Sequence, residues 1–205
     1  MKVAVFASGN GTDFQALTQA SQTEDLGWES ALLITNNAEA GAIDKAKFYG
    51  VPYRCINRQD FLDRETFLHE LSGTLQTYRI DFIALAGYLR KIPSELVRTY
   101  RQKIINIHPA LLPMFGGKGY YGRKVHEAVL EAGCKVSGVT VHFVEEEYDE
   151  GRIIAQRCVP VYDYDDAESL SKRVLEVEHQ LYPEVVTWFA QGKVLVIGGK
   201  VVVRN

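Results

Sequence analysis

Apolar residues come in short blocks closed by polar or glycine-rich turns, and most blocks are followed by a stretch with helical spacing. The run VAVFAS at 3–8 is rich in branched and aromatic residues and closes on Gly9, Asn10 and Gly11, which predicts a buried strand ending in a turn. A helical stretch carrying Phe14 and Leu17 follows. The alternation repeats with ALLITNN at 31–37 before EAGAIDKAKFYG at 39–50, and with VPYRCI at 51–56 before a longer helix from about residue 60. In that helix Phe61, Arg64, Leu68, Leu71, Leu75 and Tyr78 recur at three- and four-residue steps, one face toward a sheet. DFIALA at 81–86 and KIINIH at 103–108 extend the series.

This alternation predicts an α/β fold with a doubly wound, mostly parallel sheet, helices on both faces and ligands beyond the strand ends. Residues 138–144 and 152–159 read as two later strands around the acidic turn EEEYDEG. Asp165 and Glu168 have capping-box spacing ahead of Leu170, Val174, Val177, Leu181, Val185 and Phe189, and Pro183 is expected to interrupt and kink that helix. KVLVIGGKVVVR over 193–204 reads as a β hairpin around Gly198 and Gly199, of undecided turn type.

Composition narrows the class. At roughly 150 residues per domain, 205 residues without repeat or long linker are expected to form a single domain, 1–205. Hydrophobic residues at 46% and charged residues at 24% exclude a disordered chain. Lys and Arg total 23 against 26 Asp and Glu, net charge -3, with no extended basic block, which argues against nucleic-acid and anionic-membrane partners. Cys55, Cys134 and Cys158 are odd in number and far apart, so neither a disulfide framework nor a metal motif is expected. With no signal-peptide core and no run of 18 apolar residues, the expected location is cytoplasmic.

Three places could carry chemistry. SGNGTD at 8–13 permits a tight strand-to-helix connection whose amides could hold a phosphate; it equally reads as a plain glycine-rich turn. Asp13 could cap the next helix, although a carboxylate pointing at phosphate would be unfavourable. In NIHPALLP, Asn106 and His108 share a strand face: Asn106 can donate to a developing oxyanion and His108 can exchange a proton near neutral pH, or both serve strand-end packing. Asp149 in YDEGRII could orient and charge-stabilise His108, or belong with Glu145, Glu146, Glu147 and Glu150 to a solvated acidic rim. His142 reads as a buried, hydrogen-bonded histidine that could line the same cavity, and Cys134 as a structural thiol.

Taken together, SGNGTD, AGYLRKIP, NIHPALLP and GVTVHFVEEEYDEGRII, in this order and joined by EVEHQLYP, resemble the folate-dependent phosphoribosylglycinamide formyltransferases over nearly the whole chain. The resemblance implies a sheet of the formyltransferase type and direct transfer of a formyl group from 10-formyltetrahydrofolate to the amine of glycinamide ribonucleotide in purine synthesis, with no metal and no covalent enzyme intermediate. Asn106 and protonated His108 would stabilise the carbonyl oxygen, with Asp149 favouring the imidazolium and arranging proton transfer. Gly11, Thr12 and Asp13 would hold the phosphate, Asp13 standing where an amide is common, and Glu178 the ribose hydroxyls. Arg64 would attract the folate glutamate tail, and Leu89, Arg90, Lys91 and Ile92, with Asn106, would meet the folate. GGKGYYGRKVHEAV is longer than the corresponding bacterial loop, so its contacts do not carry over; His126 is a candidate supporting residue.

Two enzymatic competitors are a formyltetrahydrofolate hydrolase and a formyltransferase acting on initiator tRNA, whose familiar forms carry an additional region. An inactive phosphate- or folate-binding regulator is the third alternative, disfavoured by the retained Asn106, His108 and Asp149. A monomer and a homodimer both fit the sequence.

Overall fold

The computed structural model describes residues 1–204, which divide into two compact units, Met1–Ile104 and the remainder from Ile105 onward. The first alternates strand and helix: β1 Lys2–Phe6, α1 Thr12–Thr23, β2 Glu29–Thr35, α2 Ala42–Tyr49, β3 Tyr53–Cys55, α3 Arg64–Thr77, β4 Phe82–Leu85 and α4 Ser94–Thr99. Its strands lie in the order β3-β2-β1-β4, all parallel. Val3 to Ala7, Leu32 to Ile34 and Phe82 to Ala86 are buried, as expected of parallel strands covered on both faces.

Strand order reverses direction at β1. The chain steps outward through β2 and β3, then returns through α3 to place β4 on the other side of β1, which opens a crevice beyond the carboxyl ends of β1 and β4. The loops after these two strands are SGNGTD and AGYLRKIP. Ser8 joins them: its amide donates to Gly87 O at 3.1 Å and its hydroxyl accepts from the Leu89 amide at 2.9 Å.

In the second unit, β5 Ile104–His108 leads to α5 Arg123–Glu131, β6 Val136–Phe143, β7 Ile153–Pro160 and α6 Ala167–Ala190. The order is β5-β6-β7 with both pairings antiparallel. Val139 and Val141 of β6, Val125 and Val129 of α5, and Leu170, Val174, Leu181, Tyr182 and Val185 of α6 are buried apolar residues. β8 Val194–Ile197 and β9 Lys200–Val203 form an antiparallel hairpin whose two turn glycines both take positive φ, 58° and 79°, as a type I′ turn requires. The α/β, doubly wound, mostly parallel class predicted from the pattern is the class observed, with helices packed around the sheet.

Three local expectations change. The α3 face is Phe67, Leu71, Thr74 and Leu75, whereas Phe61 precedes the helix and Arg64 is its exposed first residue. The cap of α6 is Asp166, whose carboxylate accepts from the Ser169 amide at 2.8 Å while Ser169 Oγ accepts from the Asp166 amide. Asp165 instead binds both terminal nitrogens of Arg173, at 2.7 and 2.8 Å. Helix α6 is one element running through Pro183, since packing of Tyr182, Val185 and Val186 on either side outweighs the lost backbone donor.

Candidate active site

The antiparallel register of β5 and β6 sets Asn106 opposite His142 and His108 opposite Thr140. Thr140 is fully buried and uses all of its hydroxyl capacity on the chain leaving β5: it donates to Ala110 O at 2.6 Å and accepts from Leu112 N at 3.0 Å and Gln156 Nε2 at 2.9 Å. Gln156 also donates to Leu112 O at 3.0 Å. This clamp fixes the turn after His108, and the chain returns so that Phe115 O lies 2.8 Å from His108 Nε2. Neither Thr140 nor Gln156 stands out in the sequence; the first is one buried position of β6 and the second one exposed position of β7.

Asp149 reaches the same place from the β6–β7 loop. Its Oδ2 accepts from the Gly117 amide at 2.8 Å and lies 3.7 Å from His108 Nδ1, while its Oδ1 lies 3.4 Å from His142 Nε2. The aspartate holds a left-handed backbone, φ 56°, an uncommon conformation that Asp tolerates better than most residues. Two residues on, Gly151 passes so close to β6 that a Cβ there would stand 1.7 Å from Phe143 O, so only glycine fits. Asn106 closes the cluster, its Nδ2 lying 3.1 Å from His142 Nε2.

The electrostatics follow from burial. Desolvation pulls the His108 imidazole below the usual histidine range, against the opposing pull of Asp149 and the Phe115 carbonyl, and the neighbouring His142 ring adds to the lowering. This differs from the expectation that Asp149 holds His108 protonated: burial wins, and the imidazole is neutral at pH 7. Burial acts on Asp149 in the raising direction, yet the neighbouring His142 and His108 rings and the Gly117 amide together bring its carboxyl below the usual range, so it is ionised. His126, in the first turn of α5, is buried, is pushed down to about 4 by desolvation and then by the His108 charge, and has no hydrogen-bond partner on Nδ1.

The first unit holds the other predicted residues. Gly11 is the N-cap of α1 with φ 68°, and a Cβ on it would meet Ala42 Cβ at 2.6 Å, so glycine satisfies both the turn and the approach of α2. No side chain caps this helix, and Thr12 and Asp13 are its first two residues, so their amides belong to the donor end of the helix dipole. Burial pushes the Asp13 carboxyl up to about 7. Leu89, Arg90 and Lys91 are exposed in irregular backbone, with Leu89 56% accessible, and Ile92 is buried. Exposed Arg64 pairs with Glu95 at 2.7 Å. On α6, in the second unit, Glu178 is buried one turn after Val174.

Among the described residues no group of His, Cys, Asp and Glu is arranged to hold a metal ion, and no helix is long and apolar enough to cross a membrane.

The sequence pattern described as formyl transferase matches residues 1–186. A phosphoribosylglycinamide formyltransferase described as chloroplastic, from Vigna unguiculata, is 46% identical over 194 residues, covering 95% of this chain and 62% of that protein. The chain spans under two thirds of the length of the first curated relatives it matches, 62% and 64%. The phosphoribosylglycinamide formyltransferase of Bacillus subtilis (strain 168) is 37% identical over 185 residues, which are 90% of this chain and 92% of the relative. The crystal structure of glycinamide ribonucleotide transformylase 1 from Symbiobacterium toebii superimposes with a TM-score of 0.93 at 35% identity, covering 100% of this chain and 94% of the other. The chain therefore belongs to the formyl transferase family and groups with its phosphoribosylglycinamide formyltransferases.

Proposed function

We propose that this chain, acting as one formyltransferase domain over 1–205, transfers the formyl group of 10-formyltetrahydrofolate to the amine of glycinamide ribonucleotide in purine biosynthesis. The observation that carries the reading is the cluster in which a buried, neutral His108 faces an ionised Asp149, and His142 links that carboxylate to the Asn106 amide, within one antiparallel pair and its loop.

The folate supplies the formyl group. The acceptor amine attacks the formyl carbon, a new C–N bond forms, the bond to the folate nitrogen breaks, and one proton moves from the amine to the departing nitrogen. Negative charge develops on the formyl oxygen during this exchange, and an Asn106 Nδ2–H is the donor placed to meet it. His108 takes the amine proton on Nδ1, is a second donor while the Asp149 carboxylate stabilises it as the imidazolium, and delivers that proton to the departing folate nitrogen, which returns it to the neutral form.

The remaining roles follow the family resemblance. The α1 terminus at Gly11, Thr12 and Asp13, which no side chain caps, suits the ribonucleotide phosphate, since the donor end of the helix dipole favours an anion. Buried Glu178 suits the ribose hydroxyls. The irregular segment of Leu89, Arg90, Lys91 and Ile92 fits a flat apolar ring with a polar edge, because it offers an exposed apolar side chain beside backbone outside any strand. Arg64 meets the glutamate tail, whose carboxylate exchanges with Glu95. The scattered free cysteines support a reducing compartment, taken as the cytoplasm.

The test incubates the purified chain with both substrates and quantifies formylated ribonucleotide and tetrahydrofolate, omitting each substrate in turn. Equal amounts of the two products, dependent on both substrates, support the transferase. Tetrahydrofolate release without acceptor supports a hydrolase, and no product from a folded chain supports a regulator.

A further inference from the structure

His142 belongs to the cluster but has no part in the chemistry above, and its two ring nitrogens have unlike neighbours. Nδ1 lies 2.8 Å from Phe143 O, and a carbonyl oxygen only accepts, so Nδ1 carries the ring proton. In the neutral ring the lone pair then sits on Nε2, which points at Asn106 Nδ2, 3.1 Å away across the strand pair. An Asn amide has two faces that differ only in which atom stands where. A lone pair opposite it selects the NH2 face, and a ring N–H there would select the oxygen.

We propose that His142 is a positioning residue that sets the orientation of the Asn106 side chain. Its Nε2 holds one Nδ2–H, and the other Nδ2–H is thereby left as the donor for the formyl oxygen. The Phe143 carbonyl fixes the ring tautomer, and the β5–β6 register fixes the distance. Asp149 Oδ1 lies farther from the same nitrogen, at 3.4 Å, while Oδ2 of that carboxylate accepts from Gly117 and faces His108. The histidine is almost fully buried, 2% accessible, so water does not compete for this nitrogen from the surface.

The proposal rests on the formyl-transfer reading for its kinetic arm but not for its spectroscopic one. Long-range 1H–15N spectra of the whole chain report the tautomer of His142 directly, and the side-chain amide signals of Asn106 report its partner. The Nδ1–H form is expected, with the Asn106 amide signals displaced in His142→Leu. The Nε2–H form overturns the proposal whether or not the chain transfers formyl groups. Kinetically, His142→Leu is expected to lower kcat roughly 10- to 100-fold with KM for both substrates nearly constant, because a misaligned oxyanion donor costs the transition state. His142→Gln, which can offer a carbonyl oxygen to Nδ2–H, is expected to recover most of that loss. In an Asn106→Ala background, His142→Leu should cost less than about threefold more, since the residue it acts through is gone. Additive losses in the double variant, or equal losses in the Leu and Gln variants, overturn it by showing an independent structural role. A wild-type chain without formyl transfer defeats the functional reading and leaves the tautomer measurement to decide this one.

Discussion

The Nε2 atom of His108 lies 2.8 Å from the carbonyl oxygen of Phe115, so the neutral imidazole keeps its proton there and presents its lone pair from Nδ1, the nitrogen that faces Asp149 Oδ2 at 3.7 Å. The basic nitrogen and the stabilising carboxylate are thus paired by the backbone of the loop after β5 rather than by either side chain.

A proton acceptor must be unprotonated to work, and burial puts His108 below its ordinary value of 6.5. The acid limb of kcat/KM should therefore fall below pH 6.5. Asp149 is among the groups raising the His108 value, so Asp149→Asn should move the limb to still lower pH while reducing kcat about 100-fold or more. A pH–rate profile of both proteins checks this; an acid limb above pH 7, or one that rises in the variant, contradicts the assignment.

Gly151 sets the height of the Asp149 loop. A methyl group there meets Phe143 O at 1.7 Å and Phe143 C at 2.7 Å, and both are backbone that cannot swing aside. Gly151→Ala should cost about 1–3 kcal/mol of stability, a fall of several degrees in Tm, and should lower kcat more than tenfold by shifting Asp149 from the two histidines. Calorimetry with a single-turnover assay separates these effects, and an unaffected kcat in a destabilised variant would show that the loop does not transmit the shift.

Asp13 gives a prediction with the opposite sign to an ordinary carboxylate. Its folded value, about 7, lies above the unfolded value of about 4. The unfolded chain therefore ionises first, and stability is lost as pH rises between these values. Asp13→Asn should match wild type near pH 4 and be the more stable protein at pH 8. With the phosphate at the α1 terminus, the protonated acid donates as an amide does and the ionised form repels, so the ribonucleotide KM of wild type should climb above pH 7 while that of the variant stays level. Thermal melts and initial rates across this range test both halves; a variant equally displaced at pH 4 and 8 would show that ionisation is not the cause.

Much of this arrangement is legible in the chain, and the exceptions have physical reasons. Parallel strands buried on both faces leave continuous apolar runs, so β1, β2 and β4 are visible as such, and the two-residue strand period places Asn106 and His108 together. Helices α4 and α5 are absent from the predicted elements. The first is six residues long, and the second follows a glycine-rich loop whose turns hide the spacing of Val125 and Val129. Adjacent Asp165 and Asp166 make the α6 cap ambiguous; Arg173, one turn beyond Ser169, settles it by claiming Asp165. The partnership of Asn106 with His142 depends on strand register, which residue spacing does not encode, and the left-handed backbones of Phe115 and Asp149 depend on tertiary packing.

The most direct test of the account follows the formyl carbon itself. With 10-formyltetrahydrofolate labelled with 13C in the formyl group, the account predicts that every label leaving the folate appears in the amide of the formylated ribonucleotide, one per tetrahydrofolate released, with none on the protein and none lost when the acceptor is omitted. Label recovered as formate at a rate indifferent to glycinamide ribonucleotide, or bound covalently to the chain, would contradict direct transfer.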